Sequence, residues 1–531
     1  MNFKRAAQQQ IRRVGSSLPP SVKSSARRSL DLLPDEVSAR VRRAILPGQV
    51  RTGEENISQL LSVPPEFVGT TYGEHEVLPM LALENSVLRQ RLTAALDELD
   101  TLREVEVQYS GNVGGNAGAG LEFEEPQSPT PEELAEEYLS GQDLRPGAPR
   151  HLVIANDYPD VGREYGNGFV HRRLLHYIEA GIDVDVVLTA PSQERRIYTF
   201  DGVRVLVGHG PEIAAVLSRQ EYSGVSVHFL NALMWRNLEP FLPAIDLHVF
   251  LHGYECDRWI RRVFNFSRGT ELERGIDRTL ALQRFWRDVV RHPHGPASFI
   301  FVSQWWRRAV TDDMGLVFPA SRSRIVHNFI DTELFDYVPK DPEQRFKLLW
   351  VRNAGSRKYG NDLAIKALQQ LARGPHWSRI EATIIGDGKY FHEFEDALGH
   401  HPNVSIQRRF VSQEEVAALH KEHGLFLVPS RLDSQGVSRD EAMSSGLVPV
   451  TNAVTAIPEF VDEDCAILAG EEGVDALVRG MNHVMSHPED FSRMSRAASE
   501  RAHRQCGADA TVRRELDLMG LAEPTKGNRR R

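Results

Sequence analysis

The sequence predicts an α/β fold: two successive Rossmann-like units, each a parallel sheet covered by helices, preceded by a disordered basic arm and a short coiled coil. Three observations carry this. Short β-branched apolar runs alternate with helix-period patterns from residue 150 onward, the same alternation restarts after residue 345, and a Gly/Pro-rich stretch at 110–131 separates both from the region before them. Composition agrees, because 41% hydrophobic and 26% charged residues are the balance of a soluble globular protein. A chain of 531 residues has room for about three or four compact units at roughly 150 residues each.

Residues 1–51 hold eleven Lys/Arg against Asp31, Asp35 and Glu36, a net charge of +8, so the total of −10 leaves −18 for the rest of the chain. An acidic body excludes nucleic acid as the main ligand, since phosphate backbones are held by clustered positive charge. The arm, residues 1–73, has too few apolar residues to pack; its basic part, 1–51, can adhere to an anionic membrane surface, and its Arg and Ser content also resembles a transit peptide. Residues 74–109 are expected to be a coiled-coil helix. Leu81, Leu88, Ala95 and Leu102 fall at d and Asn85, Leu92 and Leu99 at a, and a single Asn at a fixes the register of a two-stranded coil. A homodimer through residues 81–102 is expected, a helix packing on its own chain being the alternative. Residues 110–148 read as a tether rich in Gly and Pro.

Cys256, Cys465 and Cys506 lie far apart, which excludes a disulfide framework and a zinc knuckle and points to a reducing, cytoplasmic setting. No stretch of about 18 apolar residues offers a membrane span, and the N-terminus lacks the apolar segment of a signal peptide. The expected location is cytoplasmic, with the arm able to bring the protein to the inner face of the membrane.

The first α/β unit, residues 149–340, has strands at 151–155, 184–188, 225–230, 248–251 and 298–302. Between its first strand and first helix runs a loop, residues 156–170, in which Gly162, Gly166 and Gly168 flank Asn167 and permit close backbone approach to a ligand. His252 ends a strand and opens the run HGYE, and His228 also ends a strand. Asp183 and Asp185 have the spacing of a metal-binding DxD, but they lie within a strand, where they read as solvated acids flanking a buried Val184; no metal site is expected. The second unit, residues 341–505, has strands at 348–351, 382–385, 404–406, 425–428, 447–450 and 466–468. Residues 506–531 supply a last helix at 513–519 and a basic tail. A ligand cleft belongs where the carboxyl ends of the strands of the two units meet.

The chemistry concentrates in residues 428–461, VPSRLDSQGVSRDEAMSSGLVPVTNAVTAIPEFV. A strand ends at Pro429-Ser430, a loop carries Asp433 and Ser434, Gly436 lets the backbone turn, and a helix begins near Ser438 with Glu441 one turn in. The free N–H groups from Ser434 through Gly436, Val437 and Ser438, together with the positive helix end, suit an anion such as a diphosphate. Glu441 can accept from the two hydroxyls of a ribose. In VRNAGSRKYGNDLAIKAL, Arg352 and Lys358 follow the first strand of the second unit and can neutralise a diphosphate leaving group.

The stretch from Asp433 to Glu441 resembles the acidic-x7-acidic signature of retaining nucleotide-sugar glycosyltransferases of family 4, which have the GT-B fold. The likeness extends through Glu441-Ala442-Met443, Gly446-Leu447-Val448-Pro449 and Ala456-Ile457-Pro458-Glu459. Its wording at Gln435-Gly436-Val437-Ser438 is most similar to transferases that build bacterial surface polysaccharides. It covers about residues 150–515. The family usually has Glu at the first acidic position, where this chain has Asp433.

The resemblance implies transfer of a sugar from a nucleoside diphosphate sugar to a saccharide or lipid-linked acceptor, with retention and without a metal or other cofactor. It places Arg352 and Lys358 on the diphosphate, with Arg357 able to replace Lys358, Asp433 on the donor sugar, Glu441 on the ribose and His252 against the transferred sugar. It also implies that the loop with Gly386 and Gly388 lies beside the nucleotide, that Phe410-Val411 reads the base through backbone groups, and that Gly166, Asn167 and Gly168 border the acceptor. A front-face route is implied, in which the departing phosphate oxygen accepts the acceptor's proton. The alternatives are a nucleotide-sugar epimerase of the same fold, a phosphorylase, for which no pyridoxal lysine can be located, and a catalytically inactive scaffold organised at the membrane by the coil.

Overall fold

The structure, a computed structural model, describes residues 129–162, 166–266, 269–470 and 473–521. The basic arm, the coiled coil with its expected dimer, the tether up to residue 128 and the basic tail from residue 522 lie outside the described residues. No helix among the described residues is long and apolar enough to cross a membrane.

Two sheets organise the chain. The first has eight strands, β1 (Arg150–Ala155), β2 (Asp183–Thr189), β3 (Arg196–Phe200), β4 (Val203–Gly208), β5 (Gly224–His228), β6 (Leu247–Leu251), β7 (Ser298–Phe301) and β8 (Ser323–Ile325), in the order β3-β4-β2-β1-β5-β6-β7-β8. All neighbours are parallel except the β3–β4 hairpin. The second sheet is wholly parallel, with β9 (Lys347–Asn353), β10 (Glu381–Asp387), β11 (Val404–Arg408), β12 (Leu425–Leu427), β13 (Val448–Asn452) and β14 (Ile467–Ala469) in the order β11-β10-β9-β12-β13-β14. Strands β5, β6, β7, β12 and β13 are buried along their whole length, which is why they read as unbroken apolar runs.

The strand order fixes where a ligand can sit. In the first sheet the chain builds outward from β1 through β2 and β4, then crosses back to β5 on the other side; in the second it builds from β9 through β10 and β11, then crosses to β12. Loops leaving β1 and β5, and β9 and β12, therefore diverge and leave a crevice at each switch point. Arg352 is the penultimate residue of β9, and Ser430 and Asp433 follow β12, so the second switch point holds the residues that the motif singles out.

Six helices bear on the site and its support: α1 (Pro131–Ser140), α2 (Gly168–Glu179), α3 (Gln304–Met314), α4 (Val437–Ser444), α5 (Pro488–Cys506) and α6 (Val512–Leu518). Helix α1 corrects the reading of residues 110–148 as tether throughout. Thr130 and Glu133 form a reciprocal capping box, Pro131 occupies the first turn, and Leu134, Ala135 and Tyr138 are buried. The Tyr138 hydroxyl accepts from the Val186 N–H at 2.7 Å and donates to the Arg204 carbonyl at 3.2 Å, pinning α1 to the first sheet. Helix α6 packs on α2, with Val512, Leu516 and Met519 in the first sheet's core beside Val170 and Leu174. There Glu515 is buried against Arg173 at 2.8 Å and accepts from the Tyr177 hydroxyl at 2.6 Å.

A second correction concerns Asp183 and Asp185. Both are buried on one face of β2, while Val184 between them is half-buried against the core on the other face. Asp183 pairs with Arg145 at 2.7 Å; Asp185 pairs with Arg150 at 2.7 Å and accepts from the Tyr222 hydroxyl at 2.6 Å. Buried carboxylates need such partners, and these acids are structural ion pairs, not solvated ones. Residues 266–287 and 312–317 belong to a separate compact unit, within which Gln283 donates to the Asp313 carbonyl at 2.7 Å.

Candidate functional site

The site is built around the ends of β9 and β12. Arg352 Nη1 donates to the Ser430 hydroxyl at 2.7 Å, Nη2 lies 3.5 Å from Asp433, and the guanidinium stacks 4.5 Å from the centre of the Tyr359 ring. The Lys358 ammonium lies 4.7 Å from the same ring, so one aromatic carries both cations. Lys358 and Arg352 hold the Tyr359 hydroxyl below its usual range, Lys358 being the larger influence and burial opposing it. Among the described residues Lys358 makes no ion pair. Its carbonyl accepts from the Arg431 N–H at 2.8 Å, which binds the 356–360 loop to the start of the motif loop. Arg357, which the resemblance allowed in place of Lys358, has a partner of its own. It is engaged in a two-pronged pair with Glu393 at 2.6 Å.

The motif loop is held in place at nearly every residue. Asp433, mostly buried, receives the Thr455 hydroxyl on its carbonyl at 2.9 Å and gives its N–H to the same oxygen at 3.0 Å. Thr455 does this from a left-handed backbone (φ 53°), a costly conformation for a β-branched residue that the loop retains. The Ser434 hydroxyl donates to the His252 carbonyl at 2.5 Å, and the Ser434 carbonyl accepts from the Ser303 hydroxyl at 2.7 Å. Gln435 exchanges hydrogen bonds with the Asn328 backbone at 2.6 and 3.2 Å.

Gly436 then turns the chain at φ 110°, where a side chain would be strained and a Cβ would stand 2.9 Å from the Arg439 guanidinium. Helix α4 follows with no side chain capping its first turn, leaving the N–H groups of Val437 and Ser438 at its positive end. The helix begins one residue ahead of the position the sequence suggested. Its buried Arg439 and Asp440 pair at 2.6 Å, and Arg439 also donates to the Gln435 carbonyl at 2.7 Å, so the helix start is braced from behind.

Glu441, 7% exposed at its side chain, accepts from Arg172 of α2 at 3.3 Å. Burial pushes its pKa up to about 7; Arg172 and, less strongly, Arg352 oppose that, while Asp440 and Asp331 add to it. Gly386 and Gly388 stand one loop behind the cations. Gly386 lies within β10, opposite Arg352 of β9, where a Cβ would meet the Arg352 carbonyl at 2.0 Å; Gly388 lies in the loop that follows, where a Cβ would meet the Gly355 nitrogen at 2.4 Å, so that loop can lie against the one after β9. Val411 turns its side chain into a core with Ile385, Val416 and Phe335, next to the exposed ring of Phe410.

On the first sheet, Asn167 sits just before α2 and donates to Asn156 at 3.1 Å and to the Asp157 carbonyl at 3.0 Å; Asn156 in turn donates to the Tyr254 hydroxyl at 2.6 Å. Gly166 lies against the Tyr158 carbonyl and Gly168 near the Arg172 guanidinium. This network ties the glycine-bearing loop to the HGYE run. His252 is buried, with Nε2 2.8 Å from Nδ1 of His228 and rings of Phe169 and Phe229 around it. Burial drives both histidines well below their usual range, so they are neutral at pH 7. It is the His252 backbone that reaches the motif loop, through Ser434.

Sequence reasoning passed over Tyr359, Ser430, Thr455 and Arg172. Tyr359 and Thr455 adjoin motif residues and could have been taken with them; Arg172 lies 269 positions from its partner and left no local signal. Glu459, present in the motif, holds the N-terminus of α3 by accepting from the Gln304 and Trp305 N–H groups at 2.9 and 2.5 Å. Two cations on one ring, an uncapped helix start and two carboxylates can hold a polyanion esterified to a diol. Among the described residues no group of three or more His, Cys, Asp or Glu is placed to hold a metal ion.

Residues 333–501 match the family model described as glycosyl transferases group 1, and so carry a domain of that kind. No curated protein matches the chain by sequence. Solved structures similar to it include a sucrose-phosphate synthase from Thermosynechococcus elongatus, with TM-score 0.54 and 13% identity over 70% of this chain and 98% of that one. HepE from Anabaena, in complex with UDP, has TM-score 0.51 and 16% identity over 70% and 99%. A glycosyltransferase from Rickettsia africae has TM-score 0.51 and 10% identity over 72% and 100%. At such identities the likeness is one of fold, and the fold is GT-B, as the sequence led us to expect.

Proposed function

We propose that this protein is a retaining glycosyltransferase that moves a sugar from a nucleoside diphosphate sugar to a saccharide or lipid-linked acceptor in the synthesis of a cell-surface polysaccharide, with no metal required. The observation that carries the reading is the convergence at one switch point of Arg352, Lys358 and the loop that leads from Ser430 into the uncapped start of α4. The match over residues 333–501 supports it.

In this reading the diphosphate lies between the two cations and the N–H groups from Ser434 through Gly436, Val437 and Ser438. Negative charge grows on the leaving phosphate as the glycosidic bond breaks, and fixed donors aimed there stabilise the transition state more than the ground state. Tyr359 keeps Arg352 and Lys358 together. The departing phosphate oxygen takes the acceptor's proton, so the sugar is attacked on the face it leaves and configuration is retained. Asp433 positions the donor sugar, Glu441 binds the ribose diol, the backbone at Phe410-Val411 borders the base near Gly386 and Gly388, and Gly166, Asn167 and Gly168 border the acceptor with His252 behind them. An anionic membrane reached through residues 1–51 and pairing through residues 81–102 would be contributed from outside the described residues.

HepE is solved with UDP, which makes UDP-sugars the first donors to screen. With the donor found, Lys358→Ala and Glu441→Ala are each expected to lower turnover by about 10²–10³ while the far-ultraviolet circular dichroism stays unchanged. Omitting the acceptor should stop donor consumption, which an epimerase would continue. Turnover like the wild type in either folded variant would overturn the assignment.

A further inference from the structure

We infer that Arg172 is a positioning residue of the donor site: from the first sheet it keeps the Glu441 carboxylate ionised and aimed, so that ribose binding depends on a contact between the two sheets. The inference rests on the donor reading just given and deepens it.

Three observations lead to it. Arg172 lies on α2 one turn beyond Gly168, and its Nη2 reaches Glu441 at 3.3 Å across 269 positions of sequence. Both side chains are nearly buried, at 12% and 7% exposure, so the pair is shielded from water and its Coulomb energy is not dissipated as at a surface. The guanidinium is steadied by the face of Phe335 at 6.0 Å, and it lies next to Gly168, where a Cβ would come within 3.9 Å of Nη1.

The charges that face Glu441 are few. Asp440 beside it on α4 and Asp331 beyond β8 favour its protonated form, whereas Arg172 on α2 and Arg352 at the end of β9 favour its charge, Arg172 more strongly. Burial alone would leave a neutral carboxylic acid, which offers one fewer acceptor site to a diol. Arg172 is the group that tips this balance, and it does so from the element that begins at the glycine-bearing loop.

The test is calorimetric titration of the full chain with UDP, GDP and ADP from about pH 6 to about pH 9, a range bracketing the Glu441 pKa of about 7. Wild-type affinity should fall as pH drops through about 7, when Glu441 takes up its proton. Arg172→Met should bind about tenfold more weakly near neutrality, move that midpoint up by about one pH unit, and recover at the alkaline end. Arg172→Lys should keep the midpoint close to the wild type, and Glu441→Gln should bind weakly and lose the midpoint near pH 7, keeping only the fall toward about pH 6 that the nucleotide's own terminal phosphate contributes. Should Arg172→Met fail to fold, Arg172→Gln removes the charge with a hydrogen-bonding group in place and carries the same readout. An unmoved midpoint and unchanged affinity in the charge-removing variant, with Glu441→Gln weakened, would overturn the role of Arg172 and leave the donor site standing. No binding of any of the three nucleotides, or wild-type binding by Glu441→Gln, would overturn the donor reading and this inference with it.

Discussion

Glu441, the proposed ribose-binding carboxylate, shows at the residue scale how a buried acid is held at a loss to stability. Its ordinary pKa is 4.5 and burial raises it to about 7 in the folded chain. Between those values the folded state keeps a proton that the unfolded state gives up, so stability falls as pH rises through that window and stays reduced above it. Glu441→Gln removes the ionisation. The variant should therefore melt at a higher temperature than the wild type above about pH 7, and the difference should shrink toward pH 4.5. Thermal unfolding at the two ends of the window checks this; a variant that melts lower at the alkaline end would show that Arg172 and Arg352 outweigh burial. That Arg352 meets the loop leading to Glu441 was legible in the sequence, because each follows a strand within a short contiguous motif. Arg172 was not, since its partner Glu441 lies 269 positions away and only the folded chain brings the two together.

Among elements, the passage from β12 through the loop into α4 does the most to build the site. Gly436 lies at φ 110° between a loop fixed by Asn328, His252 and Thr455 and a helix fixed by Arg439 and Asp440, so neither side can yield. Gly436→Ala should destabilise the protein by about 1–3 kcal/mol, through the left-handed strain and the close approach to Arg439. Chemical denaturation measures it, and a loss below a few tenths of a kcal/mol would mean that the turn relaxes freely. This strand–loop–helix could be read directly, because Pro429, Gly436 and the following helical pattern punctuate it locally. Helix α1 was missed although Thr130, Pro131 and Glu133 spell a capping box, since the neighbouring glycines and prolines made the whole stretch resemble a tether. In β2 both faces are covered: Val184 packs on the core beside Val186 and Leu188, while Asp183 and Asp185 are buried on the other face, where Arg145, Arg150 and the Tyr222 hydroxyl make them tolerable, partners too far away in sequence to be read from the strand itself.

At the scale of the whole molecule, the two-sheet α/β architecture followed from alternating strand and helix patterns, whereas β3, β4 and β8 were missed: β3 and β4 form an antiparallel hairpin with no helix between them, which breaks that alternation, and β8 is three residues long with one apolar side chain. What unites the sheets is spread over residues far apart in sequence: Ser434 with His252 and Ser303, Glu459 with the start of α3, Arg172 with Glu441, and α6 returning to α2 through Glu515. These contacts place the loops of the first sheet against the grip formed on the second. The central claim is that this grip holds a nucleotide's diphosphate. A crystal structure of the full chain with UDP bound tests it most directly. The account predicts phosphate oxygens within about 3 Å of Arg352, Lys358 and the N–H groups of Val437 and Ser438. A nucleotide lodged elsewhere, with Arg352 still on Ser430 and Asp433 and the start of α4 untouched, would contradict it.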